Sequence, residues 1–135
     1  MENIDKKIIL FVVNSDWFFI SHRLPIAKKA LLEGFEVHIA TTFTCERKEL
    51  EKFDFFLHDI KINRTSTSLL DNLFLFFKFL SIFRKVNPDL LHLITIKPFL
   101  IGGLAAHLIK KTPKIIISVS GLGYIFTVKG IKAFL

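Results

Sequence analysis

Three short polar segments interrupt an otherwise apolar chain, and each carries side chains suited to holding an anion or moving a proton. The first is Asn14-Ser15-Asp16, followed closely by His22-Arg23. Amides, a hydroxyl and a guanidinium in one turn suit recognition of phosphate, and an imidazole adds a proton shuttle. His22 and Arg23 fit a second role better, a surface pair capping a helix start. The second segment is Thr95-Ile96-Lys97-Pro98, in which Lys97 stands immediately before a helix that begins with proline and is the best placed single anion binder. The third runs from Ser118 to Tyr124 and holds Ser120, Gly121 and Gly123. Its two glycines allow either a tight turn at positive φ or close approach of backbone to a ligand. None of the three completes a dinucleotide fingerprint: no G-x-G-x-x-G follows the first apolar run, and G-x-G alone is a weak signal. The P-loop pattern and His/Cys metal spacing are also missing, so neither a metal nor a cofactor is expected. No side chain is singled out as catalytic. The single cysteine, Cys45, can form neither an internal disulfide nor a multi-thiolate site, which fits a reducing compartment.

Positioning these segments requires a scaffold, and the apolar period supplies one. A continuous Ile/Val-rich run at 7–13 predicts a strand buried on both faces, and 35–41, 55–60, 90–95 and 114–120 predict four further strands. Helical periodicity lies between them at 21–33, 46–52, 69–86 and 98–110. Gly34 and Asn87-Pro88 act as stop signals, and residues 61–68 form a polar loop. Strict alternation of strand and helix implies parallel pairing through right-handed crossovers, hence an α/β, Rossmann-like open sheet. In such a sheet, ligands sit beyond the carboxyl ends of the strands, where all three polar segments belong.

Composition narrows the partners. The 135 residues are 51% hydrophobic with a net charge of +7, enough apolar material for one packed domain and too much for disorder. The charge is uneven: residues 1–89 carry +1, and residues 90–135 carry +6 with no acidic residue. An acid-free third favours a negative partner. Nucleic acid is not favoured, because aromatic and basic residues do not interleave and no nucleic-acid-binding motif occurs. The helix at 69–86 has a polar stripe of Asp71, Lys78, Ser81 and Lys85 and is apolar almost everywhere else. That excess predicts either a second packed element or a face entering an anionic membrane surface, with Phe76 and Phe79 inserted and Lys78, Arg84 and Lys85 snorkelling outward. No run approaches the roughly 18–20 apolar residues of a membrane span, and no signal peptide is visible. The expectation is a cytoplasmic protein, peripheral on the inner face of the plasma membrane.

Three blocks taken together are more specific. IILFVVNSDWFFISHRLPIAKKALLEGFEVHIAT, PDLLHLITIKPFLIGGLAAHL and IIISVSGLGYIFT, in this order and spacing, resemble the N-terminal domain of bacterial family-four glycosyltransferases of the two-Rossmann (GT-B) architecture. The resemblance is greatest to the branch that builds capsule, O-antigen and related glycans on polyprenyl-diphosphate carriers. It implies strand order 3-2-1-4-5 and a truncated N-terminal half spanning residues 1–135, with the nucleotide-sugar-binding domain lying in a C-terminal half not contained in them. It also implies a nucleotide-sugar donor and a polyprenyl-linked acceptor, with the turn at Asn14–Phe18 and His22-Arg23 approaching the diphosphate and the acceptor. The segment at Ser120, Gly121 and Gly123 would face the donor sugar; many relatives have histidine where this chain has Ser120. The function expected is the acceptor-side part of a retaining glycosyltransferase, inactive alone and completed by a C-terminal half, in trans if not in cis. The alternatives are a non-catalytic acceptor- or membrane-binding subunit of a separate catalytic chain, and an inactive split-gene fragment.

Overall fold

β1 (Ile8–Val12) lies at the centre of a five-stranded parallel sheet ordered β3-β2-β1-β4-β5 in a computed structural model that describes residues 5–63 and 65–119. The other strands are β2 (Glu36–Thr41), β3 (Phe55–Asp59), β4 (Leu90–Ile94) and β5 (Lys114–Ser118). The expected sheet and its order are therefore observed. Ile9 stands opposite Val37 on one side and Leu90 on the other, so the first strand is flanked by partners far along the chain.

Strand side chains alternate between two apolar layers. Ile9, Phe11 and Val13 join Phe19, Ala27, Ile39 and Leu50 beneath α1 (Asp16–His22), α2 (Leu24–Leu32) and α3 (Arg47–Glu51). Leu10 and Val12 join Leu91, Leu93, Phe79, Phe83 and Ala105 beneath α4 (Leu69–Val86) and α5 (Gly103–Ala106). At the amino edge, Asp89 stitches three strands together. Its carboxylate accepts from Ile8 N–H at 2.8 Å and Lys111 Nζ at 2.6 Å, while its carbonyl accepts from Lys114 N–H at 3.0 Å.

Three expectations need correction. The helix expected at 21–33 is two helices broken at Arg23, starting five residues earlier. Pro25 has no N–H for the Ser21 carbonyl and its ring blocks a continuing helix, so α1 closes and α2 opens with Pro25 in its first turn. The helix expected at 98–110 ends at Ala106, and its first turn, Pro98–Gly102, is π-helical. Gly102 lets that wide turn sit on the core: a Cβ there would lie 3.2 Å from Leu93 Cδ2 and 3.5 Å from Phe83 Cζ. Finally, Phe79 is fully buried and stacked on Phe83 at 5.8 Å, so it is a core residue and not the membrane contact expected, while Phe76 is half-buried against the same layer. The outward face of α4 instead presents Leu70, Leu73, Phe74 and Phe77, with Lys78, Arg84 and Lys85 exposed beside them. These four lie opposite the buried side around Leu75, Phe79 and Phe83. Among the described residues no helix is long and apolar enough to cross a membrane.

Candidate functional site

The order β3-β2-β1-β4-β5 reverses direction between β1 and β4, and a cavity of about 710 Å³ opens at the carboxyl ends of these two strands. This is the place where open α/β sheets present ligands. Asn14 enters from the end of β1, and Trp17 and Phe18 from α1. Thr95, Ile96 and Lys97 enter from the end of β4, Leu100 and Ile101 from the π-helical turn, and Ser66, Thr67 and Asn72 from the far side.

Two features fix the β4 side. Thr95 has φ of 75°, a left-handed conformation rarely adopted by a β-branched residue. It turns the chain abruptly from β4 into the helix, and its carbonyl accepts from Phe99 N–H at 3.1 Å. Lys97 then reaches back across the cavity rim. Its ammonium donates to the carbonyl of Ser66 at 2.8 Å and to that of Asn63, pinning the β3–α4 loop over the opening. The Ser66 hydroxyl in turn donates to Asp71 in the first turn of α4.

The cavity is chemically distinctive. Among the described residues Lys97 is the one charged residue that lines it, and no carboxylate or imidazole does. Trp17, Ile96 and Leu100 leave about half of their surface exposed and form an apolar wall. Opposite this wall, the side-chain oxygens of Asn14 and Asn72 are enclosed with no hydrogen-bond partner in the structure. Two amide side chains, a bank of hydroxyls and a flat apolar wall suit a polyhydroxylated ring with an apolar face. They do not form a multi-cation clamp for diphosphate.

The residues singled out from sequence divide accordingly. Asn14 and Lys97 line the cavity. Ser15 is buried at the start of α1 and does not reach it. Asp16 is fully buried, and its carboxylate is occupied: Oδ1 accepts from Thr44 Oγ1 at 2.7 Å and Trp17 N–H at 2.9 Å, and Oδ2 from Thr44 N–H and Glu46 N–H, both at 2.9 Å. Burial opposes ionisation of Asp16, but the hydrogen bonds from Thr44, Glu46 and Trp17 outweigh it and hold the carboxyl below its usual range. Its geometric role is to tie the β2–α3 loop to the start of α1. His22 stacks on Phe18 at 4.2 Å and faces away from the cavity lining, and Arg23 lies at the α1–α2 junction, donating to the His22 carbonyl at 3.0 Å. Ser120, Gly121 and Gly123 fall outside the described residues. Sequence reasoning missed Ser66, Thr67, Asn72, Leu100 and Ile101, because loop and helix residues more than 50 positions from Asn14 meet it only through the sheet crossover. An isolated amide in an otherwise apolar helix start was the one signal for Asn72.

Of the buried histidines, His92 pairs its Nε2 with Ser118 Oγ at 2.8 Å. Burial, and secondarily Arg23, push its pKa down to about 4, so it is neutral at pH 7. It is a core residue with a satisfied partner, as expected from its apolar run.

Comparison with known proteins completes the picture. Residues 8–134 match a family model described as glycosyl transferase 4-like. Among solved structures, the fold is similar to a glycosyltransferase from Rickettsia africae ESF-5 (TM-score 0.67, 20% identity, 95% of this chain and 35% of that one). It is also similar to Acinetobacter baumannii MurG (TM-score 0.60, 19% identity, 83% and 34%) and to a UDP-N-acetylglucosamine 2-epimerase (TM-score 0.61, 16% identity, 83% and 33%). The chain thus spans about a third of the length of these structures. No curated protein sequence matches it significantly.

Proposed function

Since the chain belongs to the glycosyl transferase 4-like family, we propose that residues 1–135 form the acceptor side of a retaining glycosyltransferase. The enzyme moves a sugar from a nucleotide-diphosphate donor to a lipid-linked or surface-polysaccharide acceptor. The observation that carries this reading is the cavity between β1 and β4, with its apolar wall and the polar side chains of Asn14, Ser66, Thr67 and Asn72. Asn14 and Asn72 hydrogen-bond the acceptor sugar through their side-chain amides, Trp17 and Leu100 cover its apolar face, and Lys97 holds the loop that closes the rim. The diphosphate is gripped by a second Rossmann half, in cis or in trans, because a lone lysine already engaged by two carbonyls gives too little countercharge for a departing diphosphate. The outward face of α4, Leu70, Leu73, Phe74 and Phe77 with basic neighbours, supports peripheral attachment to the anionic inner leaflet, where a polyprenyl-linked acceptor resides.

The test is transfer of radiolabelled sugar to a polyprenyl-diphosphate-linked acceptor, with and without the C-terminal half. Residues 1–135 alone should give no turnover. In the completed enzyme, Asn14→Ala and Asn72→Ala should each raise the acceptor KM roughly tenfold, the loss of about one hydrogen bond, with little change in kcat. Turnover by residues 1–135 alone would overturn the division of labour, and unchanged acceptor KM in both variants would remove the cavity's role. The lack of a carboxylate or imidazole in the described cavity favours one second reading, a non-catalytic subunit that holds the acceptor for a separate enzyme. Acceptor binding without turnover in the completed chain would select it.

A further inference from the structure

A groove of about 480 Å³ runs between the β3 edge and α4, outside the cavity just described. Lys78, Ser81 and Lys85 line it from one stripe of α4, at helical spacings of three and four. His58 lines it from β3, and Lys61 from the segment after that strand. We propose that this groove is a binding site for a phosphoryl dianion, held by the ammonium groups of Lys61, Lys78 and Lys85 with Ser81 as a hydrogen-bonding partner and His58 beside it as a reporter of occupancy.

The charges make the first argument. Lys29, Lys52 and Lys111 each have a carboxylate partner within 4 Å, whereas among the described residues none of the three groove lysines does. Asp59 is the only acid lining the groove, and it pairs with none of them. Unneutralised cations converging on one concavity focus a positive field there. Several separated donors around one space match a tetrahedral group with multiple charged oxygens better than a planar carboxylate.

The backbone is set up for this convergence. Lys61 has φ of 53°, a left-handed conformation that is unusual for a residue with a side chain and turns this lysine into the groove wall. Lys78 spends one donor on the Ile60 carbonyl at 3.3 Å, which fixes it beside Lys61.

His58 makes the second argument. Glu36 and His38 of β2 stand behind it: with His38 neutral, its Nε2 donates to Glu36 at 2.7 Å and its Nδ1 accepts from His58 Nε2 at 2.9 Å. His58 Nδ1 is thereby left as a lone pair, which becomes a donor when the ring is protonated. Burial, then His38 and Lys85, lower the His58 pKa to about 4. The other charges around it are Asp59 and Lys61 on its own segment and Lys78 on α4. An anion in the groove offsets the Lys85 field and favours the proton, so occupancy should be visible at this ring.

The same chemistry is offered by a soluble phosphate compound and by an anionic lipid headgroup, so the experiment has two arms. With the intact chain, inorganic pyrophosphate binding is measured by calorimetry. Sedimentation is compared between phosphatidylcholine vesicles and vesicles that also contain phosphatidic acid. Exchanging two of the three lysines, Lys61→Gln with Lys85→Gln, should weaken the binding that is found at least tenfold. Lys48→Gln with Lys110→Gln, of identical net charge, should leave it unchanged, with thermal melts verifying both folds. Saturation should also raise the His58 titration midpoint above about 4 in histidine-detected NMR. Pyrophosphate binding alone assigns a soluble ligand, vesicle binding alone a headgroup, and either supports the site. Ser81→Ala, expected to weaken binding severalfold, serves as the test should the double variant fail to fold. Equal losses in the two charge-matched pairs, an unmoved His58 midpoint, or no binding of either probe would overturn the proposal. It stands independently of sugar transfer.

Discussion

Asp16 accepts four hydrogen bonds from Trp17, Thr44 and Glu46, three of them from donors 28 or 30 positions away, so its removal strands three part-buried N–H groups at once. Asp16→Ala should cost about 2–4 kcal/mol, read as a lower urea midpoint, and should loosen Trp17 at the cavity wall. Its folded pKa is depressed, so its contribution is present above the unfolded value of 3.8 and is lost as pH falls below that. The histidines act earlier. His58 and His92 are held neutral with pKa values near 4 against 6.5 unfolded. Each contribution is complete above the unfolded value and is lost as pH drops from 6.5 to 4, roughly 3 kcal/mol per group. The urea midpoint should therefore fall over that window, and His92→Gln should flatten the slope by about half. At this scale sequence reading separated His92 correctly, because an imidazole inside LLHLIT has only core to face. It read Asp16 as free, because nothing local reveals that its partners sit on the β2–α3 loop.

Elements were legible where apolar runs are continuous and illegible where two elements share one rim. Strand positions followed from the alternation of strand and helix, and their order from that alternation together with the family resemblance. The helix break at Arg23 and the π-helical turn at Pro98–Gly102 did not, because both are set by backbone accommodation around a proline or a glycine. The turn should be sensitive accordingly. Gly102→Ala would push a Cβ against Leu93 and Phe83, which are packed in the core and have little room to yield; a loss of about 1–3 kcal/mol is expected in thermal melts. Lys97→Met should behave differently, keeping the stem while releasing the Asn63 and Ser66 carbonyls. Amide exchange in residues 65–68 should then accelerate at nearly unchanged melting temperature, and acceptor affinity should drop.

For the whole molecule, one exposed face and one buried face of the same helix make opposite predictions. Phe74→Ser with Phe77→Ser should reduce sedimentation with anionic vesicles while leaving stability nearly unaltered, because both rings are more than half exposed. Phe79→Ser should instead lose about 3–5 kcal/mol, since that ring is enclosed between α4 and the core. Equal vesicle binding before and after the outward pair is changed would remove the attachment surface. The central place of β1 has a further effect, on the order of assembly. Its two neighbours are supplied by residues 36–40 and 90–93, so the strand made first waits for the strand made fourth. Loop closure over some 80 residues must precede that pairing, and the Asp89 bond to Ile8 cannot form before it. Until residue 94 has left the ribosome, the apolar run from Ile8 to Val13 has one unpaired edge, which makes the nascent chain a client for chaperones and a slow folder in isolation.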